Sequence, residues 1–206
     1  VVPAVPLSAA PSPASSDDAA RDFESRLAAA AEAWREKLGR VAFTLPPQAA
    51  PMARAARTNL GWILLDRDGP ALQPGTRSYA RAWIRDGALM AAALLRLGHS
   101  VEARDFLLWF APFQFESGAV PCCVDRRGAD PVAEHDSHGE LIFLAAEYFD
   151  FTGDRATLET VWPHVARAAD HIDALRGERR TEEYRSGPRS AFFGLLPESI
   201  SHEGYS

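Results

Sequence analysis

The chain has 206 residues, 47% of them hydrophobic and 24% charged, with a net charge of −6. It is long enough to bury a core in one or two domains, and its negative balance excludes a polyanion as main partner, because holding a phosphate backbone takes a basic surface. No apolar run approaches the ~20 residues that cross a bilayer, since LIFLAAEYF stops at Asp150 and ALMAAALLRLG contains Arg96. Neither nucleic acid nor a membrane is therefore expected as a partner, and the composition is that of a soluble globular protein.

In chain order, residues 1–16 are rich in Ala, Pro and Ser without a sustained apolar period, which reads as a linker. A signal peptide is not expected there, because a basic start and a continuous apolar core are missing and Pro3 and Pro6 interrupt the apolar residues. From Asp17 the pattern turns helical. Phe23, Leu27, Ala30, Ala31 and Trp34 recur at helical steps, Asp17 and Asp18 favour the N-terminus, and Gly39 closes the run. Further helices are predicted over Pro51 to Leu65, Arg85 to Leu97, Val101 to Phe113, Ser137 to Phe151 and Arg155 to Leu175. Strand signals are confined to short pieces, RVAFTL and GAVPCCVD. The two cysteines, Cys122 and Cys123, are adjacent and would be strained if bonded to each other, so they form no disulfide framework. Without His at ligand spacing they are read as buried packing.

LGHS around Gly98 and FTGD around Gly153, with Asp154 as a cap, predict two short-looped helical hairpins. The longer connections, Gln73 to Ile84, Glu116 to Asp136 and Gly177 to Ser206, hold most of the chain's unusual chemistry, as loops on a rigid scaffold do. Short turns at one end and decorated loops at the other predict an all-α fold, helical hairpins arranged as part of a toroid with a few short strands in the loops and a cleft at the loop end.

The first decorated loop carries Tyr79, Trp83, Arg85 and Asp86 in the order Y-x-x-x-W-x-R-D. Here the sequence resembles the six-hairpin, (α/α)6-barrel glycosidases, above all the glucoamylase type. In that family a matching Tyr, Trp, Arg and Asp line the innermost sugar subsite. The chemistry suits a sugar, whose apolar faces stack on aromatics and whose hydroxyls both donate and accept, so that a guanidinium beside a carboxylate satisfies one hydroxyl from both sides. The structural alternative makes Asp86 an N-cap, Arg85 its partner and Trp83 a packing residue.

EHDSHGELIFLAAEYFDFTGDRATLETVWP looks like the same superfamily's polar loop, helix, TGD turn and second helix bearing a Trp-Pro. By that resemblance Asp136 and His138 stand at the cleft end, where either could contact substrate; an N-cap is the alternative for Asp136. His135 and His138, three apart among Glu134, Asp136 and Glu140, make a metal conceivable, but the same residues suffice as a polar rim and no third distant ligand is apparent. No metal and no cofactor are therefore expected.

Gly194-Leu195-Leu196-Pro197-Glu198 stands where the glucoamylase type carries G-L-W-E-E and its general acid. Pro197 replaces the first Glu, so Glu198 corresponds either to the acid or to a substrate-binding carboxylate, and Glu203 is the second catalytic candidate. Glu198 is the preferred acid, because Phe192, Phe193, Leu195 and Leu196 offer the apolar surroundings that keep a carboxyl protonated. A glycosidase sets two carboxyl groups of opposite protonation across the scissile bond, and the family's base comes from a later hairpin. Six hairpins need on the order of twice this length, at ~30 to 60 residues each. Residues 17–206 are thus expected to be a partial toroid, completed by the remainder of the same polypeptide. The resemblance implies an exo-acting, inverting glycoside hydrolase on an α-glucan or related oligosaccharide. A phosphorylase or debranching relative, or a non-catalytic carbohydrate-binding toroid, is the alternative.

Overall fold

The computed structural model describes residues 16–200, which fall into two units that divide between Ala42 and Phe43. The first unit is helix α1, Ser16–Leu38. Ion pairs along it, Arg21 with Asp18 at 2.6 Å and Arg26 with Asp22 at 2.9 Å, follow the spacing at which helical side chains meet.

The second unit is helical throughout its core: α2 (Ala50–Leu65), α3 (Ile84–Arg96), α4 (Ser100–Phe110), α5 (Asp136–Thr152) and α6 (Arg155–Gly177). The fold class is all-α, as predicted. The three strands described are two or three residues long: β1 (Ala82–Trp83), β2 (Cys123–Asp125) and β3 (Gly128–Ala129). They form one antiparallel sheet in that order, with Trp83 opposite Cys123 and Val124 opposite Ala129. RVAFTL forms no strand. A strand exists only when another edge accepts its backbone bonds, and Pro46 and Pro47 follow at once without N–H groups to offer. The helix predicted over Val101 to Phe113 stops at Phe110 and tightens into a 3-10 turn over Ala111–Phe113, because Pro112 cannot donate within an α-helix.

Both predicted hairpins form. Gly98 (φ +82°) turns α3 into α4, and Gly153 (φ +66°) turns α5 into α6. Asp154 caps α6, its carboxylate accepting from the Thr157 amide at 3.1 Å and from the Thr157 hydroxyl at 2.6 Å, while Tyr148 donates to it at 2.9 Å. The core lies between these hairpins. Ile84, Ala88, Ala91, Leu94 and Leu95 of α3 meet Phe106, Leu107 and Phe110 of α4 and Leu141, Leu144 and Ala145 of α5, all buried. Burying each large side chain contributes about 1.5–3 kcal/mol.

The register of α3 and α5 positions the site. Arg85 pairs with Asp136 near their N-termini and Arg96 with Glu147 near their C-termini, both across an offset of 51 residues. The two helices therefore run side by side in the same direction. Their N-termini sit together on the side of the long loops, their C-termini on the side of the short glycine turns.

Candidate functional site

The three long loops converge on the N-termini of α3 and α5. The first is tied to the second by β1 on β2 and by the Ile84 amide, which donates to the Cys122 carbonyl at 3.0 Å. The third is tied to the second where the His135 amide donates to the Ser199 hydroxyl at 3.2 Å. Trp83 and Glu198 are thus brought to the same side of the hairpins.

Arg85 is the hub. It lies in the first turn of α3, and its guanidinium donates from Nη2 to Glu134 Oε2 at 2.7 Å and from Nε to Asp136 Oδ2 at 2.5 Å. Glu134 is buried, 2% exposed, while Asp136 faces solvent. Asp86 occupies the same helical turn, where an anion also meets the positive end of the helix dipole. The N-cap position of α3 is Trp83 and that of α5 is His135, neither making a side-chain cap, so Asp86 and Asp136 are not N-caps. Glu140, one turn beyond Asp136, completes the cluster. Burial raises its pKa, the Asp136 and Asp86 carboxylates push the same way, and Arg85 opposes them.

The aromatic pair stands beside this cluster. Tyr79 ends a 3-10 turn, Arg77–Tyr79, that begins with Arg77 at φ +59°, an uncommon backbone for a side chain with Cβ. The Tyr79 and Trp83 rings lie 6.1 Å apart and tilted by 50°, Tyr79 largely exposed. Arg81 sits 5.4 Å from the Trp83 ring and pairs with Asp130 at 2.6 Å and with Asp125 at 3.1 Å, bracing the small sheet under Trp83.

Glu198 departs from the expectation. Its side chain is 85% exposed rather than sheltered by Phe192 and Phe193, which are themselves exposed. A hydrogen bond from its own backbone amide and then the Arg179 guanidinium, to which it is ion-paired, hold its carboxyl below the usual range, the opposite of what a proton donor needs. Arg179 is buried, donates also to the Leu196 carbonyl at 2.9 Å, and faces the Phe192 and Tyr184 rings, so it organises the whole loop. Glu203 lies outside the described residues, as does most of the segment 1–16.

His138 does not line the Arg85 cluster. It is 2% exposed and turns toward His135 and His171, its ring 4.7 Å and edge-on to that of His171. Sequence reasoning missed His171, which α6 supplies from 33 positions away, and Arg179, one of four arginines in a polar loop; nothing local marks either one. It names Glu140 only as a polar neighbour of the two histidines, although the i, i+4 spacing from Asp136 on one helix face is the signal that places it here.

Among the described residues, the group that brings three ligand atoms within 4.8 Å of one another is Cys122, Cys123 and Asp130. Both thiols are free and buried, 3.6 Å apart. Asp130 Oδ2 already accepts from Arg81, and the two thiols hold each other, the hydrogen bond between them and then burial pushing Cys123 up while the same bond pulls Cys122 down.

Compared with protein-family models, curated proteins and solved structures, the chain matches none.

Proposed function

We propose that this chain is the sugar-gripping part of a carbohydrate-active enzyme, an exo-acting inverting glycoside hydrolase for an α-glucan or related oligosaccharide. The observation that carries this reading is Arg85, fixed at a helix start between Glu134 and Asp136 with Asp86 and Glu140 in the same cluster and Trp83 and Tyr79 alongside. A guanidinium already anchored on two carboxylates loses little freedom on binding, and its remaining surface together with Asp86 and Asp136 can donate to and accept from neighbouring hydroxyls. The exposed Tyr79 and the Trp83 ring offer apolar area for the face of the sugar.

The roles of the two glutamates follow from charge. Glu198, kept ionised by Arg179, holds substrate hydroxyls or positions the leaving group. Glu203 then takes the role of general acid. Inversion requires the acid and the base to stand ~6.5–9.5 Å apart with a water between them, and the base lies in a later hairpin of the barrel that the chain resembles. The ionised state of Glu198 also favours the second reading, a binding toroid without catalysis.

Two assays on the full-length protein separate these readings. Release of free glucose from maltooligosaccharides supports catalysis, and its absence alongside measurable binding supports the non-catalytic reading. In an active protein, Glu203→Gln should lower turnover of ordinary glycosides by several orders of magnitude and spare glycosyl fluorides, whereas Glu198→Gln should chiefly weaken binding. The reverse pattern would make Glu198 the acid.

A further inference from the structure

The three histidines line a partly open pocket of about 230 Å³, whose other walls include Phe115, Val120, Pro131 and Val132. It lies between the 115–120 loop, the 131–135 segment, the first turn of α5 and α6, and the Arg85 cluster described above makes no use of it. Its polar atoms have defined identities. The Val120 amide donates to His138 Nδ1 at 3.0 Å, so that nitrogen carries a lone pair, and the neutral ring bears its hydrogen on Nε2. His138 Nε2 is buried and has no partner. His171 has the opposite tautomer. Its Nδ1 lies 3.1 Å from the Ser117 carbonyl, which can only accept, so Nδ1 bears the hydrogen and, in the neutral ring, Nε2 the lone pair. A second buried nitrogen without a partner, His135 Nδ1, adds to the set.

Such a pocket offers a fixed donor and a fixed acceptor on neighbouring rings inside apolar walls. A carboxylate or phosphate would face the His171 lone pair unless that ring gained a proton, whereas the neutral ring is already an acceptor. A metal ion would have to displace the hydrogen of His138 Nε2. A hydroxyl group, which donates and accepts at once, answers both rings. The volume falls below the ~300–1,000 Å³ of drug-sized pockets, so the ligand is one small ring and not an extended chain.

We propose that the His135–His138–His171 cavity is a second binding site, specific for a neutral hydroxyl-bearing ring such as a monosaccharide or cyclic polyol, held by donation from His138 Nε2 and acceptance at His171 Nε2. The inference stands on residues other than Arg85 and does not require the catalytic reading. Leaving the His138 donor buried and unmet costs about 1–3 kcal/mol, and a ligand hydroxyl recovers it.

The test is a titration of the full-length protein with glucose and with myo-inositol, followed by the imidazole nitrogen resonances of the three histidines. Saturable shifts at His138 and His171 are expected. His171→Phe keeps the ring contact and removes the acceptor, and should weaken the binding about tenfold or more; Ala119→Leu, which fills the cavity from its rim, should abolish the shifts if the first variant fails to fold. The proposal is overturned if neither probe moves the His138 and His171 signals, if His171→Phe binds as the parent does, or if inorganic phosphate or Zn²⁺ saturates the three rings and the sugars do not. Arg85→Lys distinguishes the two sites: it should weaken sugar binding at the cluster and leave these histidine shifts in place.

Discussion

At the scale of single residues, Arg85 has a binding role and a structural one, and they can be separated. Arg85→Ala removes the guanidinium that buried Glu134 accepts from, and an uncompensated buried charge costs up to about 3–5 kcal/mol, less here because Arg85 is 28% exposed. Adding Glu134→Gln should restore part of that stability in urea denaturation, while calorimetry should show sugar binding still lost. Recovery of binding in the double variant would remove Arg85 from the site. His138 gives a pH signature. Burial first, then the neighbouring His171 and His135, lowers its pKa from 6.5 to about 4. Between those values the unfolded chain binds a proton that the folded chain refuses. Stability is then full above pH 6.5 and falls as the pH drops toward 4, at up to ~1.4 kcal/mol per unit. Denaturation midpoints between pH 4 and 7 should show this slope in the parent and a flatter one in His138→Gln.

At the scale of elements, the α3–α4 hairpin depends on a glycine for space. A Cβ at Gly87 would lie 2.2 Å from Cζ of Phe106, a ring with no exposed surface and nowhere to move. Gly87→Ala gains up to ~1 kcal/mol of helix propensity, yet overpacking at so deep an overlap costs about 1–3 kcal/mol. A lower Tm is expected by calorimetry, with Gly87→Ala/Phe106→Leu recovering part of it. Because Gly87 follows Asp86 directly, a displaced α3 should also weaken sugar binding. The α3–α5 register makes the same connection, since the pairs 85–136 and 96–147 hold the two helix N-termini level and so set where Asp86, Asp136 and Glu140 meet.

At the scale of the whole molecule, large apolar side chains remain exposed on several helices of the second unit: Trp62 on α2, Leu89 on α3, Phe151 on α5 and Trp162 on α6. The partial-toroid proposal gives them a role as the surface that further hairpins cover, since soluble monomers rarely leave wide apolar patches open. The 206-residue chain alone should then self-associate in sedimentation experiments and bind a hydrophobic dye. A monodisperse monomer without dye binding would count against the proposal.

What the sequence determined by itself was local. Helical periodicity, the glycine turns at 98 and 153 and the Asp154 cap all follow from interactions within a few positions along the chain, and they formed as expected apart from the helix end at Phe110, which gave way to a 3-10 turn. The grouping of polar residues in three long connections was equally legible, because composition marks loops. The tertiary structure decided everything that depends on a distant partner. RVAFTL had strand composition and no edge to pair with, and Glu198 had apolar neighbours in sequence but meets Arg179 in space. His138 was expected at the cleft end of α5, and only the packing showed that its ring meets the Val120 amide and His171 on another helix. A pattern along the chain records which residues share a helix face or a turn. The protonation state and partner of a side chain depend on burial and on charges brought in from elsewhere, and only the packed molecule sets those.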